Sequence, residues 1–178
     1  MAMGELLYEG KAKKIFSTGN PDQVVQYFKD DATAFNAQKR GTILEKGVIN
    51  NKVSERLFQL LEQNGIRTHF VERSNDREML TKKVRIVPIE VVVRNVVAGS
   101  LAKRLGLKEG NRIDPAVVEF YYKNDGLGDP LVNDDHLRLM NVATPGVLRE
   151  LRELGHAVNK VLKPFFAERK MQLVDFKL

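Results

Sequence analysis

The run PIEVVVRNVVAG, residues 88–99, restricts the fold more than any other segment of the chain. Its valines and isoleucine suit a well-buried strand. Strand alternation places Glu90, Val92 and Arg94 on one face and Ile89, Val91 and Val93 on the other. Two opposite charges on so apolar a strand cannot both be buried without partners. Either they pair with other charges, or they line a cleft. Gly99 and Ser100 follow directly, with Ser100 as the expected N-cap of a short helix, SLAKRLGL. Backbone N–H groups and a hydroxyl at a helix start, beside Arg94, suit a phosphate or carboxylate.

Other segments alternate between strand and helix signals. Residues 6–9, 12–17 and 24–29 read as strands, the first two flanking Gly10. A helix follows Gly47, with Val53, Leu57, Leu60 and Leu61 as an apolar stripe and Gly65 as its stop. Residues 69–72, 78–84, 86–98 and 117–123 read as further strands, and NDGLGDP as a loop. Thr144 and Pro145 open a long helix as N-cap and N1, with a stripe of Leu151, Leu154, Val158, Val161, Leu162 and Phe165. Pro164 is expected to kink or break it. A final strand covers residues 172–178.

The chain has 178 residues, no cysteine and no apolar run long enough to span a bilayer. Disulfides, thiolate metal sites and a cysteine nucleophile are thereby excluded. The N-terminal stretch lacks the basic-then-apolar layout of a signal peptide, which points to a cytoplasmic protein. Lys and Arg number 29 against 23 Asp and Glu, interspersed rather than blocked, and aromatic residues make up only 7% with no tryptophan. Few aromatics leave little material for stacking bases, so a small anionic ligand suits the charge excess better than nucleic acid. A basic RNA- or DNA-binding module is the weaker alternative, whose binding would fall steeply with salt.

Gly10-Lys11-Ala12-Lys13-Lys14-Ile15 lies between two expected strands, with Lys11 and Lys13 alternating onto one face. Ammonium groups beside a glycine turn could hold a polyphosphate; equally, a solvated lysine-rich hairpin edge has the same pattern. Asp175 and Lys177 share a face of the last strand, and Glu45 precedes the first long helix. Gly128, Asp129, Asp134 and Asp135 read as turn and capping residues, and His69, His136 and His156 lack ligand spacing.

In order and spacing, YEGKAKKIF, PIEVVVRNVVAGS and LVDFKL resemble the motifs of the phosphoribosylaminoimidazole-succinocarboxamide synthase (SAICAR synthetase) family, and TAFNAQKRGTILEKGVINNKVS fits as well. The resemblance runs from Leu6 to Leu178. It implies a two-lobed α+β fold with a protein-kinase-like ATP lobe and a larger α/β lobe. Residues 1–86 would form the β-rich nucleotide lobe and residues 87–178 an incomplete substrate lobe, with ATP between them.

The resemblance further implies an ATP-dependent ligase of purine biosynthesis. Such a ligase joins L-aspartate to 5-amino-1-(5-phosphoribosyl)imidazole-4-carboxylate (CAIR) through an acyl phosphate. Carried over by position, Gly10, Lys11, Lys13, Ile86 and Lys123 would bind ATP, while Arg94, Ser100, Asp175 and Lys177 would bind CAIR. Lys13, Asp175 and Lys177 would be the catalytic residues, and Glu45 a Mg²⁺ ligand. The expected partners are ATP, CAIR and L-aspartate, with a homo-oligomer and neither nucleic acid nor membrane. Family members continue beyond LVDFKL, so the resemblance implies a chain truncated after Leu178, without the C-terminal part of the fold. The alternatives are a small-molecule kinase of related fold, or an ATP-binding fragment without turnover.

Overall fold

The structure, a computed structural model, describes residues 3–34 and 39–178. Residues 35–38 of the TAFNAQKRG segment lie outside the described residues. The chain divides into two compact units, Met1–Arg85 and Ile86–Leu178. Among the described residues no helix is long and apolar enough to cross a membrane.

The first unit contains β1 (Leu6–Glu9), β2 (Lys13–Ser17), β3 (Gln23–Phe28), β4 (Asp31–Ala34), β5 (Lys39–Thr42), α1 (Lys46–Gln63), β6 (Phe70–Arg73) and β7 (Glu78–Lys82). A five-stranded sheet runs in the order β1-β2-β3-β7-β6, with every neighbour antiparallel, and β4 pairs separately with β5. Directly opposed residues of antiparallel strands share a face. The pairs Lys13–Phe28, Ile15–Gln26, Gln26–Met79, Val24–Thr81 and Phe70–Thr81 therefore put Lys13, Gln26, Phe28, Met79, Thr81 and Phe70 together. On that face α1 lays Phe58 against Phe28, Phe70 and Met79. The stripe expected from the sequence is met in part, with Leu61 buried and Leu57 and Leu60 half-buried. Gly47, Asn51 and Leu61 are its buried residues, while Val53 stands 49% exposed. Asn51 escapes an apolar pattern because it docks by hydrogen bonds, its amide donating to the carbonyls of Asn75 (2.9 Å) and Glu78 (3.3 Å).

The start of α1 is tied to the sheet by Asp30. Its carboxylate accepts from the Gly47 N–H at 2.8 Å and takes both nitrogens of Arg77 at 2.8 and 2.9 Å. An anion at this end also suits the helix dipole. A Cβ on Gly47 would run into the Phe28 carbonyl group and stand 2.8 Å from Arg77 Nη1. Gly47→Ala is accordingly expected to cost about 2–3 kcal/mol in chemical denaturation, as overpacking against rigid backbone does. An unchanged midpoint would contradict the close approach.

The Arg77 and Gly47 hydrogen bonds hold the Asp30 carboxyl at about 2, below its ordinary 3.8. A depressed carboxylate contributes stability that is complete above the unfolded value and is lost as pH falls through the folded one. Stability should therefore decline between about pH 4 and 2 in the parent, and Asp30→Asn should flatten that part of an acid titration.

The second unit contains β8 (Ile89–Val96), α2 (Gly99–Leu105), β9 (Arg112–Tyr122), β10 (Leu131–Val132), α3 (Asp134–Leu139), α4 (Pro145–Ala167) and β11 (Asp175–Lys177). Its four-stranded sheet has the order β10-β9-β8-β11, again antiparallel. One face is apolar. Ile89, Val91 and Phe120 pack with Leu137 of α3 and Leu148 of α4, while Gly155 lets the long helix approach Val93. Asn95 and Asn159 exchange two buried amide hydrogen bonds of 2.8 Å across the same layer.

Several local expectations require correction. Pro164 neither breaks α4 nor ends it at once, since the helix continues to Ala167. The proline stands on the exposed side of the helix, where water can take the place of the donor it removes. The last strand is shorter than residues 172–178, although the carbonyl of Val174 and both backbone groups of Leu178 extend its bonding to β8. The β4–β5 pair and α3 carried no sequence signal strong enough to mark them. Thr144 and Pro145 do open α4, with the threonine hydroxyl accepting from the Val147 N–H.

Candidate active site

The second face of the four-stranded sheet is charged. The register pairs Arg94 with Asp175, Val92 with Lys177 and Glu119, and Glu90 with Tyr121. Alternation thereby brings Glu90, Arg94, Glu119, Tyr121, Asp175 and Lys177 onto the side away from α4. A hollow of about 310 Å³ opens there, lined by Val92, Arg94, Ala98, Gly99, Ser100, Tyr121, Asp175 and Lys177.

Arg94, only 6% exposed, organises this face. Its Nε donates to Glu119 at 2.6 Å, Nη1 to Asp175 at 3.4 Å, and Nη2 to the Ser100 and Tyr121 hydroxyls at 3.2 Å each. Burial works against its charge, but the Glu119 carboxylate and Tyr121 hydroxyl outweigh that cost and hold the guanidinium more firmly protonated than usual. Glu119 also pairs with Arg104 of α2, which donates to the Tyr121 hydroxyl as well. Lys177 pairs with Glu90 at 2.5 Å. Each of the cations Arg94, Arg104 and Lys177 thus has an internal carboxylate partner. An incoming anion must exchange with these partners rather than fill a vacant charge.

Two expectations about the helix start are corrected. Ala98, not Ser100, is the N-cap of α2, and no side chain caps it. Ser100 accepts from Arg94 instead, and the Gly99 N–H donates to Glu109 at 2.9 Å. A guanidinium donor competes successfully for the hydroxyl that a helix terminus would otherwise attract.

In the first unit Lys11 is exposed in the turn before β2, and Gly10 N–H closes that turn on the Lys13 carbonyl at 2.9 Å. Lys13 is different. Its Nζ donates to Gln26 Oε1 at 3.2 Å and lies 4.8 Å from the centre of the Phe28 ring. Burial lowers its pKa, and among the described residues no carboxylate pairs with it. An ammonium held against apolar surface without a carboxylate partner is a candidate to receive an anion. Gln26 Nε2 in turn meets His69 Nε2 at 3.1 Å and Thr81 Oγ1 at 3.3 Å.

Ile86 is 68% exposed at the start of the second unit, and the Lys123 N–H donates to the neighbouring Pro88 carbonyl at 3.0 Å. Glu45 is exposed immediately before α1, with a left-handed backbone at φ 64°. Among the described residues no group of three His, Cys, Asp or Glu side chains could hold a metal. Glu45 thus stands there as a single exposed carboxylate, with no cluster of such donors around it among the described residues.

The family model of SAICAR synthetase matches residues 6–178. The chain belongs to that family. It is 55% identical over all 178 residues to the phosphoribosylaminoimidazole-succinocarboxamide synthase of Clostridium botulinum (strain Okra / Type B1), covering 76% of that relative. The crystal structure of the Ehrlichia chaffeensis phosphoribosylaminoimidazole-succinocarboxamide synthase superposes with a TM-score of 0.94 at 45% identity, over 98% of this chain and 73% of that one. A SAICAR synthetase (Type-2) in complex with ADP gives a TM-score of 0.94 at 43% identity, with the same coverage. The two-lobed α+β expectation is thus met by the fold of this SAICAR synthetase family member.

Of the substrate-site residues expected from the sequence, the structure brings Arg94, Ser100, Asp175 and Lys177 to one hollow. The sequence reading missed Glu119, Arg104 and Tyr121 there, and Gln26 and His69 beside Lys13. A signal for Glu119 existed. A lone arginine on a valine strand requires a carboxylate, and VVEFYY alternates one onto a single face.

Proposed function

We propose that the chain is the ligase of its family: it joins L-aspartate to CAIR, with ATP converted to ADP and phosphate. The observation that carries this reading is the hollow in which Arg94, Ser100, Asp175 and Lys177 converge, within a chain that belongs to the SAICAR synthetase family. In this reading Met1–Arg85 meets the nucleotide phosphates, and Ile86–Leu178 binds CAIR and contributes Ile86 and Lys123 to the nucleotide.

A carboxylate resists attack by an amine, so it must first be activated. A carboxylate oxygen of CAIR attacks the γ-phosphorus, the bond to the β-phosphate oxygen breaks, and ADP leaves. The aspartate amine then attacks the acyl carbon, expels phosphate and loses a proton. Catalysis of such a transfer is largely positioning and charge stabilisation, so no protein nucleophile is needed.

Lys13, supported by the Gly10–Lys11 turn, meets the nucleotide phosphates, while residues near Ile86 and Lys123 meet the remainder of the nucleotide. Arg94 and Ser100 take the CAIR phosphate, exchanging the long Asp175 contact for the ligand. Lys177 keeps spare donor capacity beyond its bond to Glu90 and, with Asp175, faces the aminoimidazole carboxylate. Mg²⁺ would neutralise phosphate charge, with Glu45 as this chain's ligand to it. A cytoplasmic homo-oligomer belongs to the same reading.

The test is incubation of the chain with ATP, CAIR and L-aspartate, followed by mass spectrometry. An aspartate-containing product that disappears when any one substrate is omitted supports the ligase. A stable phosphorylated alcohol would replace it with a small-molecule kinase, and nucleotide binding without any product would leave only an ATP-binding fragment.

A further inference from the structure

We propose that Gln26 and His69 are positioning residues for Lys13, holding its ammonium by dipoles so that its charge stays available to a phosphate. The inference rests on the reading of Lys13 as a nucleotide-phosphate ligand.

The polarity of this chain of groups is forced by chemistry. An ammonium can only donate, so the atom of Gln26 that meets it at 3.2 Å is the amide oxygen. The amide nitrogen must then face the other way, toward His69 Nε2 at 3.1 Å and Thr81 Oγ1 at 3.3 Å. A donor pointed at His69 Nε2 requires that nitrogen to be an acceptor. The imidazole is therefore neutral and carries its proton on Nδ1. Its ring is set edge-on to Phe58, with centroids 5.0 Å apart. Burial, then the nearby charges of Lys13 and Lys82, lowers the pKa of His69 and favours the same neutral form.

Gln26 is 9% exposed and Thr81 is fully buried, so neither amide end has water as a ready substitute. A proton on His69 Nε2 would oppose two donors. Gln26 would relieve this only by turning its amide end for end, which would present NH₂ groups to the ammonium. A carboxylate in place of Gln26 would also fix Lys13, but would cancel the charge that a phosphate needs. A neutral amide anchored by a neutral imidazole orients the lysine without that loss.

Two measurements on the full chain test this. Nitrogen-15 NMR at neutral pH should find His69 as the Nδ1–H tautomer; an Nε2–H tautomer or an imidazolium would overturn the inference. Calorimetric titration with ADP should find affinity lowered about five- to tenfold in Gln26→Met and about fivefold in His69→Phe, the effect of losing one buried hydrogen-bonded support. His69→Gln, whose side-chain oxygen can take the place of Nε2, should return to within about twofold of the parent. A purely structural role would lower thermal stability without this rescue of ADP affinity.

Lys13→Met is the reference variant. If it binds ADP as the parent does, the phosphate reading of Lys13 falls. If it loses affinity while folded Gln26→Met and His69→Phe keep theirs, the positioning role alone falls. Should Gln26→Met fail to fold, the His69 pair and the tautomer decide the question.

Discussion

Replacing Lys13 with methionine should lower kcat/KM for ATP by about a hundredfold or more, the scale of losing one oriented cationic donor to a developing phosphoryl charge. The same variant should be as stable as the parent, or more so. Lys13 gains little from its surroundings when it is charged: burial depresses its pKa, and among the described residues its hydrogen-bond acceptor is neutral and its ring contact is Phe28. Methionine fills the same length of apolar space without desolvating an ammonium. A loss of turnover combined with undiminished thermal stability is hard to obtain from a residue that merely braces the sheet. If turnover survives, the phosphate role is wrong. If stability collapses together with turnover, the lysine is a structural element of the first unit.

The second large effect is expected at Glu119. Its carboxylate neutralises Arg94 and reaches Arg104, with side-chain exposures of only 9% for Glu119 and 7% for Arg94. Glu119→Leu leaves the Arg94 guanidinium with Asp175 as its one carboxylate among the described residues, at 3.4 Å and on a partly exposed side chain. Stranding a buried charge in this way costs about 3–5 kcal/mol. Adding Arg94→Met should recover most of that loss, because a buried pair replaced as a unit by apolar groups is often nearly neutral. The double variant should nevertheless fail to bind CAIR. Measured by denaturation and by CAIR titration, this cycle separates the two roles that sequence alone left open for Arg94. A double variant that folds and still binds CAIR would show that Arg94 serves packing only.

The parts of the site that could be read in the sequence were those with short-range periodicity. Alternation along residues 88–94 placed Glu90 and Arg94 on one face before any partner was known, and the same rule joined Asp175 to Lys177. The partners themselves depend on register between distant strands, which alternation does not specify. Glu119 lies 25 residues from Arg94, and His69 lies 43 from Gln26. At α1 the rule held for Leu57, Leu60 and Leu61 and missed at the first turns for a different reason. There the helix docks through a glycine that admits a carbonyl and an asparagine that binds two, while the apolar stripe had pointed to Val53. Ser100 shows a third case, in which a local capping habit yielded to a charged donor from a neighbouring strand.

Phase along β11 decides what the hollow contains. Asp175 and Lys177 face it only because Phe176 opposes Val93, on a strand of three residues at the edge of its sheet. A slide of one position would turn both charges outward and set a phenyl ring in the hollow. The backbone bonds that continue the ladder, from Val174 to Asn95 and between Leu178 and Val91, act as a vernier on that phase. Substitutions at these flanking positions, far from any reacting atom, would thus change which molecule the site accepts.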